Sequence, residues 1–247
     1  EIEKNDFVIE IGPGLGTLTS KLVEKAGKVI AIELDKKMLE ILNDRFALYK
    51  NFKVINEDVL KVDLNNLIKE ENDNNYSVKI VANLPYYIST PIIMKLLENR
   101  LDIDEIIVMV QKEVAERLTA KTGTRLAGAI TYAVEYYSDA TSIIKVPKES
   151  FVPSPKVESE VIKLKVRKGK KIQVKDEKLL FNIISKSFMQ RRKTLSNVLI
   201  NNNIMHSKED VKNMWKELEI DENVRGESLT LEQFGKIADY ISEKNKT

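Results

Sequence analysis

Cysteine is absent from this 247-residue chain, and histidine occurs once, as His206. The first absence excludes disulfides, thiolate metal sites and cysteine nucleophiles, and suits a reducing compartment. The second leaves a Ser-His-Asp arrangement with a single base, and His206 stands in a polar stretch far from any nucleophile-like turn, where a solvated side chain is expected. No apolar run approaches the length of a membrane span, and no signal peptide is visible. Charge of one sign is lacking too, with 40 Lys+Arg against 38 Asp+Glu. Chemistry in such a chain is expected to rely on an external reagent. The balance is uneven along the chain: residues 1–166 hold 23 basic against 26 acidic side chains, and residues 167–247 hold 17 against 12. A near-neutral body with a basic tail is compatible with a nucleic-acid partner.

What is present is alternation. β-Branched runs at 7–11, 29–33, 52–56, 78–82, 106–110, 142–146 and 161–166 read as strands, and 15–26, 36–46, 91–99 and 112–118 read as helices. Pro91 fits a first helical turn, with Ser89 or Thr90 as its cap. This order predicts an α/β fold with a mostly parallel sheet covered on both faces and an antiparallel edge from the last two strands. The basic stretch 165–175 ends the strands. Segments near 177–188, 191–201, 208–218 and 230–243 read as a small all-α domain, so the expected boundary lies at 168/169. The acidic, Asn-rich stretch 70–75 reads as a surface loop.

In open α/β sheets ligands bind beyond the carboxyl ends of the strands, where the strand order reverses. After the first strand stands "EIGPGLGTLT" (10–19), whose Gly12, Gly14 and Gly16 permit a tight turn and close backbone approach. Glu33 follows the second strand, nineteen residues beyond Gly14, where an acid can accept both ribose hydroxyls. Asp58 follows the third, suited to accept from an exocyclic adenine amine. Asn83 follows the fourth and opens "NLPYYISTP" (83–91). Glycine turns also cradle pyrophosphates, but Glu10 beside this one would repel phosphate and suits a cationic amine. A nucleoside with a charged amino-acid tail, S-adenosylmethionine, meets both requirements, and methyl transfer from it needs no cysteine, histidine or metal.

These segments, with "AIELD" (31–35), "NEDVL" (56–60), "VQKEVAERL" (110–118), "FVPSPKVESEV" (151–161) and "FMQRRKTL" (188–195), resemble the ribosomal RNA adenine N6-dimethyltransferases, and most closely their small-subunit (16S rRNA) branch. The resemblance runs from near the start of the chain into its C-terminal part. It implies a Rossmann-like methyltransferase sheet that transfers methyl groups to N6 of two adjacent adenines near the 3′ end of 16S rRNA, with a role in ribosome assembly. Asn83, Leu84, Pro85 and Tyr86 are then expected to grip the target base: the Asn83 side-chain oxygen and the Leu84 or Pro85 carbonyl accept from its amine, and Tyr86 stacks on it. The resemblance sets Phe151 on the base's other side. It places the cofactor against Glu10, Gly12, Gly14, Leu15, Glu33, Leu34, Asp58, Val59 and Asn83, with no metal.

The expected partner is 16S rRNA in the immature small subunit, contacted by Lys156, Lys170, Lys171, Arg191, Arg192 and Lys193, in a cytoplasmic monomer. Arg167 and Lys168, and more weakly Lys112, Arg117 and Arg125, are further candidates, and the basic run 191–193 reads as a helix start. Relatives of this family carry a Gln-Asn-Phe-Leu segment on an N-terminal helix over the cofactor. Nothing here corresponds to it, and a chain without that cover is expected to bind cofactor weakly. Two alternatives stay open: a large-subunit rRNA methyltransferase conferring antibiotic resistance, and an assembly factor acting mainly by binding.

Overall fold

The structure, a computed structural model, describes residues 1–99, 101–151 and 154–245. Two compact units emerge: Glu1–Ala115 with Ser138–Arg167, and Glu116–Tyr137 with the chain from Lys168 onward.

In the first unit the order is β1 (Asp6–Ile11), α1 (Thr17–Lys25), β2 (Lys28–Glu33), α2 (Lys36–Arg45), β3 (Phe52–Asn56), α3 (Leu64–Glu71), β4 (Ser77–Asn83), α4 (Ser89–Glu98) and β5 (Glu105–Gln111). A fifth helix, α5 (Lys112–Thr119), leads towards the second unit, which contributes α6 (Ala129–Tyr137) before the chain returns through β6 (Ser138–Val146) and β7 (Ser159–Val166). The described strands form one seven-stranded sheet in the order β3-β2-β1-β4-β5-β7-β6. Strands β1 to β5 pair in parallel, and β7 pairs antiparallel with both β5 and β6. The strand order reverses between β1 and β4, which share the register Ile11↔Ala82.

β1 is buried along its whole length, as expected of a central strand that helices cover on both faces. Val8, Val29 and Val81 meet Leu22, Val23 and Ala26 of the α1 segment and Leu42 and Phe46 around α2. Each such valine, leucine or phenylalanine contributes about 1.5–3 kcal/mol by leaving water. Asp6, nearly inaccessible, is held by Lys79 Nζ at 2.8 Å and by the Glu3 amide at 2.7 Å. No helix among the described residues is long and apolar enough to cross a membrane.

The second unit continues with α7 (Glu177–Met189), α8 (Leu195–Asn201), α9 (Lys208–Leu218) and α10 (Leu231–Lys244). Its centre is aromatic: the Tyr132 ring lies 5.2 Å from Phe234, edge on, and 5.3 Å from Phe188. The Tyr132 hydroxyl donates to the Leu229 carbonyl at 2.6 Å, and burial pushes its pKa up to about 12.

Several expectations need correction. Residues 116–137 group with the helical unit rather than with the sheet. The reason is α6, which is buried on nearly every side and therefore needs a surround of helices. The acidic stretch 70–75 is not all loop, since α3 runs through Glu71, where Lys28 and Lys53 pair with its carboxylate. Neither Ser89 nor Thr90 caps α4; its N-cap is Ile88, without a side-chain bond, while Ser89 Oγ donates to the Tyr86 carbonyl at 3.3 Å. Residues 191–193 precede a helix instead of starting one, because Thr194 is the N-cap of α8.

Candidate active site

The carboxyl ends of β2, β1 and β4 lie side by side, and the loops leaving them carry the polar residues. Gly12, Gly14 and Gly16 all take positive φ, at 67°, 55° and 79°. Only at Gly16 is space also limiting: a Cβ would lie 2.6 Å from Phe46 Cε2, so this residue lets α1 begin hard against the end of α2.

The N–H groups of all three glycines are already used. Gly12 N donates to the Ile32 carbonyl at 3.0 Å, Gly14 N to Glu33 Oε2 at 3.2 Å, and Gly16 N to the Pro13 carbonyl at 3.0 Å. A pyrophosphate cradle needs such donors pointing outward. Here two of them tie the turn to β2 and the third closes it onto Pro13, and the acid preceding the turn is buried. Glu10 is 1% exposed, and its Oε2 accepts from Thr19 Oγ1 at 2.6 Å. Burial raises its pKa to about 7 against the opposing Thr19 bond, and the nearby Glu33 charge raises it further.

Glu33, 9% exposed, receives the Gly14 amide on one oxygen and the Asp35 amide at 2.9 Å on the other. Each oxygen keeps a second lone pair for a hydroxyl donor. Leu34 and Leu15 beside it are large apolar side chains left 67% and 59% exposed. The end of β3 is tied to the same place: Asn56 Nδ2 donates to the Glu33 carbonyl at 2.9 Å, and the Glu57 amide reaches that carbonyl at 3.2 Å. The next residue, Asp58, accepts from the Leu60 amide on Oδ1, and Oδ2 has no hydrogen-bond partner among the described residues. Val59 is buried.

The donors and acceptors therefore fit a nucleoside carrying an amino-acid tail. Glu33 and Asp58 Oδ2 keep lone pairs for hydroxyl and amine donors, the leucines offer exposed apolar surface, and the buried Glu10 would be relieved by a cationic amine. A pyrophosphate finds no free glycine donor in this turn.

At the end of β4, Asn83 is exposed and its side chain has no hydrogen-bond partner among the described residues. Leu84 is buried, its amide donating to the Met109 carbonyl at 3.3 Å, which anchors the loop to β5. The Pro85 carbonyl is engaged in a turn, accepting from the Ile88 amide at 3.1 Å. Of the two carbonyls expected to face a target amine, Leu84's accepts no hydrogen bond among the described residues, whereas Pro85's already holds one. Tyr86 is half-buried with its hydroxyl 2.9 Å from Ser159 Oγ, a tether that fixes the ring, whereas Tyr87 stands 86% exposed. Phe151 is half-buried, but Val152 and Pro153 of its motif lie outside the described residues.

The basic candidates separate by their partners. Arg191 donates to the Ala127 carbonyl, lies 3.9 Å from Glu227 and packs 5.0 Å over the Phe188 ring. Lys170 pairs with Glu177 and Lys171 with Glu135. Lys156, Arg192 and Lys193 are exposed and form no ion pair among the described residues. Thr19 and Ser159 were missed in the sequence. Thr19 stands nine residues after Glu10 in the glycine segment, a spacing that a turn into a helix folds back. Ser159 lies 73 residues from Tyr86 and left no local signal.

The family model described as Ribosomal RNA adenine dimethylase matches residues 1–243. A curated relative from Lachnoclostridium phytofermentans, named Ribosomal RNA small subunit methyltransferase A, is 50% identical over all of this chain and 85% of its own length. Among solved structures, a dimethyladenosine transferase from Plasmodium falciparum matches with a TM-score of 0.78 and 28% identity, covering 99% of this chain and 92% of that one. The 23S rRNA methyltransferase ErmE shares the fold at a TM-score of 0.69 and 20% identity, over 98% of this chain and 93% of that one.

Proposed function

This chain belongs to the ribosomal RNA adenine dimethylase family, and from that premise we propose that it dimethylates N6 of two adjacent adenines near the 3′ end of 16S rRNA in the small ribosomal subunit. The observation that carries the chemistry is the Asn83 side chain and the Leu84 carbonyl, both without a hydrogen-bond partner among the described residues, on the same sheet end as Glu33 and Asp58. S-Adenosylmethionine, when bound, supplies a methyl group already activated by its sulfonium, so no side-chain nucleophile is needed.

The chain's own work is to hold a poor nucleophile in line. An adenine amine donates its lone pair into the ring. With the Asn83 oxygen accepting from one N6 hydrogen and the Leu84 carbonyl from the other, the nitrogen is drawn towards tetrahedral geometry and its lone pair is freed. Pro85 stiffens the peptide that presents this carbonyl. The target base has to leave its stack to arrive, and a face on Tyr86 returns about 1–3 kcal/mol of stacking. Phe151 closes the other side. At N6 a C–N bond would form as the cofactor's methyl–sulfur bond broke to leave a neutral thioether, and the extra proton would then pass to water, because the alkylated amine is strongly acidic. Alignment and exclusion of water supply the acceleration.

RNA affinity comes from exposed cations on both units. Lys156, Arg192 and Lys193 are supported as phosphate-binding residues by having no internal partner among the described residues, and residues 188–193 line a cavity of 390 Å³. Lys170, Lys171 and Arg191 make internal pairs and contribute mainly through the field of the basic unit. The enzyme works as a cytoplasmic monomer, where its particle substrate is assembled, and its occupancy of the immature subunit belongs to ribosome assembly. The test is transfer of a tritiated methyl group to undermethylated small subunits, followed by mapping of the label. Label at N6 of paired adenines near the 3′ end of 16S rRNA is expected. Label confined to 23S rRNA would overturn the reading.

A further inference from the structure

α4 begins six residues after Asn83, yet one of its side chains reaches the end of β3. Lys95 Nζ donates to the Val59 carbonyl at 2.9 Å and to the Val62 carbonyl at 2.8 Å. Those carbonyls belong to the turn that starts at Asp58, whose other hydrogen bonds among the described residues are its own: the Leu60 amide on Asp58 Oδ1, and the Lys61 and Val62 amides on the Asp58 carbonyl. Residues in this turn have no strand neighbour to set their position, since β3 has ended at Asn56. We propose that Lys95 is a positioning residue for cofactor selectivity: it clamps the 58–62 turn to α4 and so fixes where Asp58 Oδ2 and the Val59 amide meet the edge of the cofactor's adenine.

The inference rests on the reading of Asp58 as the adenine contact and adds to it the element that aims it. An ammonium is suited to the task because it carries three donors on a compact head and can serve two carbonyls at once. Burial makes that charge costly, and it lowers the pKa of Lys95, but the charges of Asp58 and Asp63 nearby work in the opposite direction. A second consequence is connectivity. α4 follows directly from the 83–88 segment, so a single helix spans from the target-base loop to the cofactor turn. Lys95 thereby sets the spacing between the two substrates as well as the adenine contact.

The experiment compares binding of S-adenosylhomocysteine with that of its deaminated analogue, S-inosylhomocysteine, in which an oxygen acceptor replaces the amine that Asp58 would receive. Calorimetry on the parent is expected to show a preference for the adenine compound of about a hundredfold, since a site built around a donor rejects an acceptor in its place. In Lys95→Met the preference is expected to fall at least about tenfold, because a released turn no longer aims the carboxylate, with kcat changing less than KM for the cofactor. A parent that binds both compounds equally would refute the Asp58 reading and the proposal with it. A parent that discriminates, beside a folded Lys95→Met that discriminates equally well, would refute the role of Lys95 alone. Should Lys95→Met not fold, Lys95→Gln carries the same comparison, with a single retained amide and an intermediate preference expected. A general loss of stability would weaken both compounds alike, and an unchanged ratio counts against the proposal.

Discussion

Glu10 and Asn83 place opposite demands on one sheet end. Glu10 is a buried acid whose pKa stands at about 7, above its ordinary 4.5. A carboxyl group with a raised folded-state pKa stabilises the fold fully below its unfolded pKa, and that contribution is lost as pH rises through the folded value. Ligand-free protein should therefore lose stability between about pH 4.5 and just above 7, by roughly 3 kcal/mol from this group alone. Thermal unfolding at pH 5 and pH 8 measures it, and Glu10→Gln should flatten the difference; an unchanged slope in that variant would assign the effect elsewhere. A bound ammonium in the cofactor's tail should likewise restore stability at pH 8. Asn83 bears on the rate instead. Asn83→Ala is expected to lower kcat by at least about a hundredfold, the order found when one preorganised polar contact to a reacting group is deleted, while KM for the cofactor stays within about threefold. Methyl transfer within tenfold of the parent would remove Asn83 from the reaction. At this scale the sequence was informative where a residue's role is local. Glu33 and Asn83 end their strands and Asp58 stands two residues past β3, whereas Ser159 and Lys95 meet partners more than thirty residues away and carry no local mark.

Among the elements, the loop from β1 into α1 shows why a glycine motif is ambiguous until its hydrogen bonds are seen. "GPGLG" allows either an outward nest of donors or a turn whose amides are spent within the fold, and the bonds to Ile32 and Glu33 of β2 and to Pro13 make it the second. Gly16→Ala is expected to cost about 2–4 kcal/mol, because it combines a left-handed φ with a close approach to Phe46, and to weaken cofactor binding as α1 shifts. Urea unfolding and cofactor titration of the variant measure the two effects. The run 191–193 teaches a similar lesson. Its basic character was plain in the sequence, but only the fold separates Arg191, spent on Ala127, Glu227 and Phe188, from Arg192 and Lys193. Arg191→Ala should therefore lower the melting temperature. Reversing charge at Arg192 and Lys193 should leave stability within about 0.5 kcal/mol, as for surface changes generally.

For the whole molecule, electrostatics and connectivity decide what the units share. The double reversal at Arg192 and Lys193 should weaken RNA binding while leaving cofactor affinity alone. It should also flatten the salt dependence by about 0.8 in log K per log salt for each phosphate that is no longer neutralised. Filter binding across a salt series reads this directly; weakened cofactor affinity would instead mark the run as structural. The amino-acid order by itself determined the alternation of strands and helices and the polar residues set at the strand ends, because hydrophobic period and turn residues act over a few positions. Only the tertiary structure decided that 116–137 belongs with the helical unit, that Lys79 holds the buried Asp6, and that Arg191 and Lys171 are taken up by internal partners. Those outcomes depend on partners tens of residues away, and pairing at such distances is set by packing and charge compensation, which no local pattern encodes.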